Sequence, residues 1–479
     1  MADMLRFVER PQAYPAKREA VARADDFREI AERYAVQSAE DQSGRCSQCG
    51  VPYCSVHCPL HNHIPDWLRL TAEGRLREAY ELSNATSTMP EICGRICPQD
   101  RLCEGNCVIE FTGHGAVTIG SVEKFITDKA WEEGWVEPLV PGSPRGQSVG
   151  VIGAGPAGLS AAEYLRGHGY EVHVYDRHDR AGGLLTYGIP GFKLEKPVVT
   201  RRVERLKAGG IVFHEGFAVG EDATLDELRG RHDAILIATG VYKARAIDVG
   251  GHDAAGVVAA LDYLTASNRK SFGDQVPAFE DGSLNAAGKN VVVIGGGDTA
   301  MDCVRTAIRQ GANSVKCLYR RDRANMPGSQ REVANAEEEG VEFVWLSAPA
   351  SFVEESGRVT HVRANRMRLG SADASGRRAP EIDPGAAEDM PADLVVKALG
   401  FDAEDLPHLW DAPELGVTRW GTVLVDAKTL MTSLDGVFAA GDIVRGASLV
   451  VWAIRDGRDV SAAMHKYLKA KAAAERQAA

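Results

Sequence analysis

Eight of the chain's ten cysteines lie in one stretch, between residues 46 and 107 of its 479 residues. They form two groups with the spacings C-x2-C-x4-C-x3-C-P and C-x3-C-P-x4-C-x3-C, namely Cys46, Cys49, Cys54 and Cys58, then Cys93, Cys97, Cys103 and Cys107. In a reducing compartment, clustered thiols indicate metal ligands rather than disulfides. The cysteine block therefore predicts one or more metal centres.

Zinc and iron–sulfur clusters are the two chemistries that compete for these thiols. Eight thiolates could hold two zinc ions, but such sites usually contain paired C-x2-C knuckles, and only Cys46 and Cys49 form one. The ending C-x3-C-P is instead typical of bacterial ferredoxins with two clusters, in which the fourth cysteine binds the other cluster. The spacing therefore favours iron–sulfur clusters, which carry single electrons.

A first glycine-rich turn follows a run of valine and isoleucine and opens a predicted helix. Gly153 permits the tight turn, Gly155 lets the backbone approach a pyrophosphate, and Gly158 allows close packing of helix on strand. Asp176 ends the next predicted strand, where a carboxylate can accept hydrogen bonds from ribose hydroxyls. Since helix amides attract phosphate, the residues predicted to bind the ADP half of FAD are Gly153, Gly155, Pro156, Ala157, Gly158 and Asp176.

A second unit repeats this pattern but ends its strand differently. Gly295, Gly297 and Ala300 take the three glycine roles, while Arg320 and Arg321 stand where the first unit has an acid. A guanidinium can bind a 2′-phosphate with two hydrogen bonds, whereas a carboxylate would repel it. The alternative is a solvated surface cluster of arginines. We predict an NADPH site that includes Gly295, Gly296, Gly297, Asp298, Thr299, Arg320 and Arg321.

The repeat sets the predicted fold class, an α/β protein with two Rossmann-like dinucleotide-binding domains, one inserted in the other, preceded by a mainly helical iron–sulfur domain. The predicted bounds are 1–145 for the helical domain, 146–252 plus 402–479 for the FAD-binding domain, and 253–401 for the NADPH-binding domain. Apolar spacing and composition further predict helices over 25–34, 64–83 and 464–479, and a linker over 138–147.

The chain resembles the flavoproteins that bind two dinucleotides. Ala238-Thr-Gly240 and Ala439-Ala-Gly-Asp442 match their two later signatures. The resemblance implies flavin contacts from Gly183, Leu184, Gly240, Gly441 and Asp442. Disulfide reductases of this architecture need a redox pair of cysteines. After Gly153 the chain has only Cys303 and Cys317, which we expect in the core.

A closer resemblance covers nearly the whole chain. The segments 46–65, 90–107, 191–194, 295–302 and 320–322 are similar to the small (β) subunits of bacterial NADPH-dependent glutamate synthases. Dihydropyrimidine dehydrogenase and the large subunit of a ferredoxin–NADP oxidoreductase share this module. The former continues into a pyrimidine-reducing barrel, for which this chain has no room.

The resemblance implies two [4Fe–4S] clusters whose ligands cross between the cysteine groups. One cluster is expected on Cys46, Cys49, Cys54 and Cys107. The other is expected on Cys58, Cys97 and Cys103, with a fourth ligand that aligns with Glu123. The local sequence around Glu123 would instead predict a solvated residue on a helix. Cys93 is the alternative fourth ligand, because it is close in sequence and a thiolate is a softer ligand for iron than a carboxylate.

The resemblance also implies the function. NADPH is expected to reduce flavin without a catalytic side chain, and electrons are expected to pass through the clusters to a large (α) subunit in a hetero-oligomer that supports glutamate synthesis. A ferredoxin–NADP oxidoreductase subunit and a non-catalytic redox sensor or scaffold are the alternatives.

Composition limits the partners. The formal net charge of −12 argues against nucleic acid, and no apolar run approaches the length of a membrane span. The charged start of the chain differs from a secretory signal. We therefore expect a cytoplasmic protein without a membrane or nucleic-acid partner.

Overall fold

A computed structural model describes residues 4–372, 378–385 and 387–478 of the chain. Residues 6–132 contain helices joined by short loops. These helices are α1 (Arg6–Glu9), α2 (Ala20–Ala24), α3 (Val36–Ser43), α4 (Tyr53–Val56), α5 (Ile64–Ala72), α6 (Leu76–Asn84), α7 (Pro90–Ile96) and α8 (Ile119–Glu132). The linker predicted over 138–147 has no helix or strand.

The first nucleotide unit forms a five-stranded parallel sheet in the order β16-β4-β1-β2-β3. Its strands are β1 (Ser148–Ile152), β2 (Glu171–Asp176), β3 (Val212–Glu215), β4 (Ala234–Ile237) and β16 (Val437–Ala439). The helices of this part are α9 (Pro156–Gly167), α10 (Leu184–Tyr187), α11 (Lys196–Ala208), α12 (Leu225–Arg231), α17 (Leu406–Leu409), α18 (Asp442–Arg445) and α19 (Val450–Ala478). Strands from both sides of the second unit share this sheet, so the second unit is inserted in the first.

The second unit forms another five-stranded sheet, in the order β6-β14-β7-β8-β9. Its strands are β6 (Val257–Ala259), β7 (Asn290–Ile294), β8 (Ser314–Tyr319), β9 (Glu342–Trp345) and β14 (Leu394–Lys397). The helices are α13 (Ala260–Ser271), α14 (Pro277–Glu280), α15 (Asp298–Arg309) and α16 (Gln330–Glu338). A separate antiparallel sheet follows β9 in the chain and consists of β10 (Ser347–Glu355), β11 (Arg358–Ala372), β12 (Arg378–Ile382) and β13 (Glu388–Pro391).

Two short strands connect the nucleotide units. Strand β5 (Lys243–Ala244) leaves the first unit, strand β15 (Phe401–Asp402) returns to it, and the two pair antiparallel. All strands of the two parallel sheets fall within the ranges predicted for their domains. The exact bounds 146–252, 253–401 and 402–479 stay predictions.

The predicted helix over residues 25–34 is wrong. This stretch is irregular after α2, and Ala31 pairs with Lys17 in an isolated antiparallel bridge. The carboxylate of Asp26 accepts hydrogen bonds from the backbone N–H of Arg28 and from the Arg18 guanidinium. Such local side-chain bonds compete with helix formation.

The predicted helix over residues 64–83 is in fact two helices, α5 and α6. Gly74 separates them with φ +74°, a left-handed conformation that ends a helix. The predicted C-terminal helix over 464–479 is correct in type but begins earlier, at Val450. Its residues Met464 and Leu468 are buried, because α19 packs along α9. Ala479 lies outside the described residues.

A buried ionic cluster joins the three parts of the chain. Glu339 accepts hydrogen bonds from both Arg305, at 2.8 and 2.9 Å, and Arg309, at 2.6 and 3.0 Å. The Phe192 ring lies 4.5 and 4.0 Å from the two guanidinium carbons. Arg23, which lies in α2 of the N-terminal region, is 3.9 Å from Glu339. We call Arg23, Phe192, Arg305, Arg309 and Glu339 the domain junction.

The charge of Glu339 is maintained within this junction. Burial alone would raise the pKa of Glu339, but hydrogen bonds from Arg309 and Arg305 lower it to about 2.

No helix among residues 4–372, 378–385 and 387–478 is long and apolar enough to cross a membrane.

Candidate redox site

The first glycine turn has one open position between two crowded ones. A Cβ on Gly153, whose φ is +108°, would lie 2.4 Å from the carbonyl oxygen of Ala238, and one on Gly158 would lie 2.0 Å from the Gly153 oxygen. A Cβ on Gly155 would meet nothing within 4 Å. Since Gly155 caps α9 and Pro156 begins it, the helix N-terminus is open to a phosphate.

The later flavoprotein signatures converge on the same turn. Gly441, with φ +80°, lies against the start of α9, because a Cβ there would be 2.8 Å from that of Ala157. Gly183 approaches Gly155 equally closely, since its Cβ would be 2.9 Å from the Gly155 Cα. Leu184, the residue after Gly183, begins α10. Two further segments predicted to bind FAD, at Gly183 and at Gly441, therefore lie against the same helix end.

Two polar groups at this end fit a bound dinucleotide. The hydroxyl of Thr239, next to the predicted Gly240, is buried and has no hydrogen-bond partner. Burial raises the pKa of Asp442 to about 6. Gly240 has φ +74°, which favours glycine at this turn. An orphaned buried hydroxyl is costly unless a ligand satisfies it.

Asp176 makes protein contacts that its predicted role did not include. Its Oδ2 accepts from the backbone N–H of Ala154 at 2.7 Å, and its Oδ1 accepts from that of His178 at 2.8 Å. The carboxylate thus holds the glycine turn in place from the next strand. Its contact with a ribose stays a prediction.

The second glycine turn has the same geometry. A Cβ on Gly295 would lie 2.3 Å from the Ala398 oxygen, whereas one on Gly297 would meet nothing within 4 Å. A Cβ on Gly296 would lie 2.3 Å from the ring of Tyr319, so this position also requires glycine. Ala300 is fully buried in the third role. This turn therefore leaves the N-terminus of α15 open at Gly297.

Arg320 and Arg321 follow β8 as predicted. Arg320 is exposed, and the Nε of Arg321 is buried without a hydrogen-bond partner. Arg323, by contrast, is 2.7 Å from Glu337 and is neutralised by it. Two guanidinium groups near the strand end thus remain suited to an anionic ligand.

The cysteines divide between two cavities in the crossed arrangement that the family resemblance implied. Four cysteines line the first cavity: Cys46, Cys49, Cys54 and Cys107. Burial first, and the neighbouring thiols second, raise the pKa of Cys46 and of Cys54 to about 12. Buried thiolates of this kind need a cationic centre to stabilise them, which fits a metal cluster.

The second cavity is lined by the remaining four cysteines and by an acid, namely Cys58, Cys93, Cys97, Cys103 and Glu123. Glu123 is buried on α8 rather than solvated, and burial raises its pKa to about 8. The Ser83 hydroxyl donates to Glu123 at 3.2 Å, while Cys93 lies 3.8 Å from the Ser87 hydroxyl. Both candidates for the fourth ligand therefore line the cavity.

The two cavities are neighbours, since Cys54 of the first raises the pKa of Cys103 in the second. No group of three or more His, Cys, Asp or Glu side chains in the described part of the chain could hold a single metal ion.

A cavity of about 550 Å³ lies where the three parts meet. Its walls include Thr299 at the second glycine turn, Cys97 of the second cysteine cavity, and Leu449 and Val450 at the start of α19. Residues of the second glycine turn, of the second cysteine cavity and of the first nucleotide unit thus line one cavity.

Sequence reasoning missed two ionic contacts at this cavity. Lys193 lies 2.9 Å from Asp302 across the boundary between the nucleotide units. Arg101 of the cysteine region lies 3.2 Å from Asp298, the first residue of α15. Lys193 stands in the quoted segment 191–194, but only the folded chain reveals its partner. Both contacts join α15 to residues outside the second nucleotide unit.

Comparisons with known proteins give the family. The "Dihydropyrimidine dehydrogenase domain II, 4Fe-4S cluster" family matches residues 23–135, and the "Pyridine nucleotide-disulphide oxidoreductase" family matches residues 147–457. The glutamate synthase [NADPH] small chain of Azospirillum brasilense is 67% identical over 471 residues, which cover 98% of each chain. The chain belongs to the family of glutamate synthase [NADPH] small chains.

Another member of this family, from Escherichia coli (strain K12), is 44% identical over 475 residues, covering 98% of this chain and 99% of its own. Mycobacterium tuberculosis FprA in complex with NADPH has a similar fold, with a TM-score of 0.57, 22% identity, and coverage of 70% of this chain and 87% of its own. The predicted family, the fold class and the oxidoreductase class are confirmed. The individual site residues stay predictions.

The crossed cysteine arrangement predicts which substitutions act together. In the anaerobically purified chain, Cys46→Ser and Cys107→Ser should remove the same cluster, because both thiols line the first cavity. Cys58→Ser should remove the other. Mössbauer and electron paramagnetic resonance spectra of the reduced protein measure this, and loss of different clusters in Cys46→Ser and Cys107→Ser would contradict the crossing.

Glu123→Ala compared with Cys93→Ser identifies the fourth ligand, since only the ligand's loss alters the second cluster's spectrum.

The arginines after β8 predict the coenzyme preference. Arg320→Ala and Arg321→Ala should raise the KM for NADPH roughly ten- to a hundredfold and leave that for NADH nearly unchanged, since a charge-assisted hydrogen bond contributes about 1.5–3 kcal/mol. Arg323→Ala is the matched control, because Glu337 already pairs with it. Steady-state kinetics with both coenzymes measure the effect, and an equal loss for NADPH and NADH would refute the role.

Proposed function

We propose that this chain oxidises NADPH with FAD and passes the electrons through two [4Fe–4S] clusters to the large subunit of a glutamate synthase. The observation that supports this most is the shared cavity. Thr299 of the NADPH turn, Cys97 of the second cysteine cavity and Val450 of α19 all line it. A route from hydride donor to cluster needs such a junction.

FAD would bind at the N-terminus of α9. Gly155 leaves space for the pyrophosphate, the amides after Pro156 attract its charge, and the free hydroxyl of Thr239 can hydrogen-bond to the bound group. Gly441 and Asp442 would contact the ribityl and pyrophosphate region. Bound FAD supplies the conversion of a hydride into single electrons.

NADPH would bind at the N-terminus of α15. Gly297 offers the open backbone, and Arg320 and Arg321 would hold the 2′-phosphate. The ion pairs of Lys193 and Arg101 keep α15 facing the cavity. The chain's contribution to hydride transfer is then orientation and exclusion of water, and no catalytic side chain is proposed.

The clusters would occupy the two cysteine cavities. The first would use Cys46, Cys49, Cys54 and Cys107, and the second Cys58, Cys97, Cys103 and either Glu123 or Cys93. Because Cys97 lines both the second cavity and the shared cavity, the second cluster would receive electrons first. The first cluster would then be the exit.

The partner would be the large (α) subunit of glutamate synthase, in a hetero-oligomer that forms L-glutamate from L-glutamine and 2-oxoglutarate. The family membership supports this, since its members are named as small chains. We place the complex in the cytoplasm, where reducing conditions keep the eight thiols available as ligands.

A reconstitution assay tests this division of labour. The chain alone should oxidise NADPH with an artificial acceptor but make no glutamate from glutamine and 2-oxoglutarate. Addition of the large subunit should restore glutamate formation, measured by chromatography of the amino acids. Glutamate formed by the chain alone would refute the proposal, and strong electron transfer to ferredoxin without response to the large subunit would favour a ferredoxin–NADP oxidoreductase.

A further inference from the structure

The side-chain amide of Gln48 contacts the sulfur of a cysteine in the first cavity. Its Nε2 donates one hydrogen bond to the Cys46 Sγ at 3.3 Å and another to the backbone oxygen of Pro65 at 2.8 Å. A glutamine Nε2 carries two hydrogens, so each bond has a hydrogen of its own. Burial raises the pKa of the Cys46 thiol, and hydrogen bonds from the backbone and the side chain of Gln48 oppose this rise. Gln48 therefore stabilises negative charge on this sulfur.

The backbone of Gln48 is held in an uncommon conformation. Its φ of +51° lies in the left-handed region, which residues with a side chain rarely adopt. Such strain persists only where the surrounding structure holds it, and it is frequent at functional sites. Because the two bonds of Nε2 anchor the side chain between Cys46 and Pro65, the strained turn keeps the amide at the sulfur.

Arg45, the residue before Cys46, carries a buried positive charge. Its side chain is completely buried and donates hydrogen bonds to four neutral backbone oxygens, those of Arg10, His114, Gly115 and Ala116. Burial lowers the pKa of the guanidinium, and the charge of Cys107 is the largest influence that opposes it. A buried cation with neutral partners is costly unless an anion compensates it. A cluster on Cys46 and Cys107 would supply that anion, since four thiolates leave a [4Fe–4S] core with a net negative charge.

The second cysteine cavity has negative neighbours instead. Glu104 follows Cys103 in the sequence and is almost completely buried, and Glu123 lines the cavity itself. Burial raises the pKa of Cys103, and the charge of Glu104 adds to this rise. Arg331 pairs with Glu104 and offsets part of its charge. The buried charges beside the two cavities thus differ in sign.

These neighbours have opposite effects on the two clusters. The reduction potential of an iron–sulfur cluster depends on its net charge, on hydrogen bonds to its sulfurs and on its exposure to solvent. Reduction adds one negative charge. A buried cation and an N–H···S hydrogen bond therefore favour the reduced state, whereas a carboxylate close by opposes it.

We propose that Gln48 and Arg45 raise the reduction potential of the first cluster above that of the second. This inference rests on the proposed function and adds residues that set the direction of electron flow. Both act through the ligands Cys46 and Cys107, so they are positioning residues. Electrons that reach the second cluster from the flavin would then pass to the first and stay there until an acceptor takes them.

The test replaces Gln48 with a side chain of similar length that donates no hydrogen bond. Gln48→Met removes the N–H···S bond and leaves every cysteine ligand in place. Gln37→Met is the matched control, because Gln37 is exposed on α3 and donates to Asp41 at 3.3 Å rather than to a sulfur.

The measured quantity is the midpoint potential of each cluster. Each full-length variant is purified anaerobically together with any subunit that co-purifies, and it is titrated redox-potentiometrically with detection by electron paramagnetic resonance. Comparison with Cys46→Ser and Cys58→Ser assigns each signal to the first or the second cluster.

In the unaltered protein the first cluster should have the higher potential. Gln48→Met should lower its equilibrium constant for reduction about tenfold, a shift of about 59 mV for one electron, and should leave the second cluster's potential unchanged. Arg45→Gln, which keeps an N–H donor but loses the charge, should shift the first cluster in the same direction. Gln37→Met should match the unaltered protein.

An unchanged potential of the first cluster in Gln48→Met would overturn the role of Gln48. A lower potential for the first cluster than for the second in the unaltered protein would overturn the whole proposal. If Arg45→Gln fails to fold, these two results still decide. Neither result changes the outcome expected in the glutamate assay, so this inference can fail while the proposed function stands. Absence of both cluster signals would instead refute the proposed function, and this inference with it.

Discussion

The buried carboxylate of Glu339 holds together a junction on which the whole redox arrangement depends. It binds Arg305 and Arg309 of α15, and Phe192 of the FAD domain covers both guanidinium groups. Arg23 brings the cysteine region to the same point. Two buried cations with one shared anion are stable only while that anion stays in place, since breaking such a pair costs about 3–5 kcal/mol.

This junction explains how three domains can serve one reaction. NADPH carries a hydride and iron–sulfur clusters carry single electrons, so donor, flavin and cluster must lie close together in fixed order. The junction and the Lys193–Asp302 pair orient α15 toward the shared cavity, and Cys97 forms another part of its wall.

Local patterns allowed much of this to be predicted from the sequence. The glycine turns at Gly153 and Gly295 are specified by a few neighbouring residues, and the structure has both turns between strand and helix. The helix predicted over 25–34 failed because the Asp26 carboxylate takes local hydrogen bonds that periodicity does not reveal. The burial of Glu123 depends on helices distant in sequence. Phe192 and Arg23 lie more than a hundred residues from the other members of the domain junction, so no local pattern could indicate their contacts.

The rate of flavin reduction on anaerobic mixing with saturating NADPH tests the central role of the junction most directly. Glu339→Gln should lower this rate at least tenfold, because the unpaired guanidinium groups of Arg305 and Arg309 no longer hold α15 in position. Glu337→Gln, two residues earlier and paired with exposed Arg323, should react like the unaltered enzyme. An unchanged rate in Glu339→Gln would contradict the account, because the domains would then keep their arrangement without the junction.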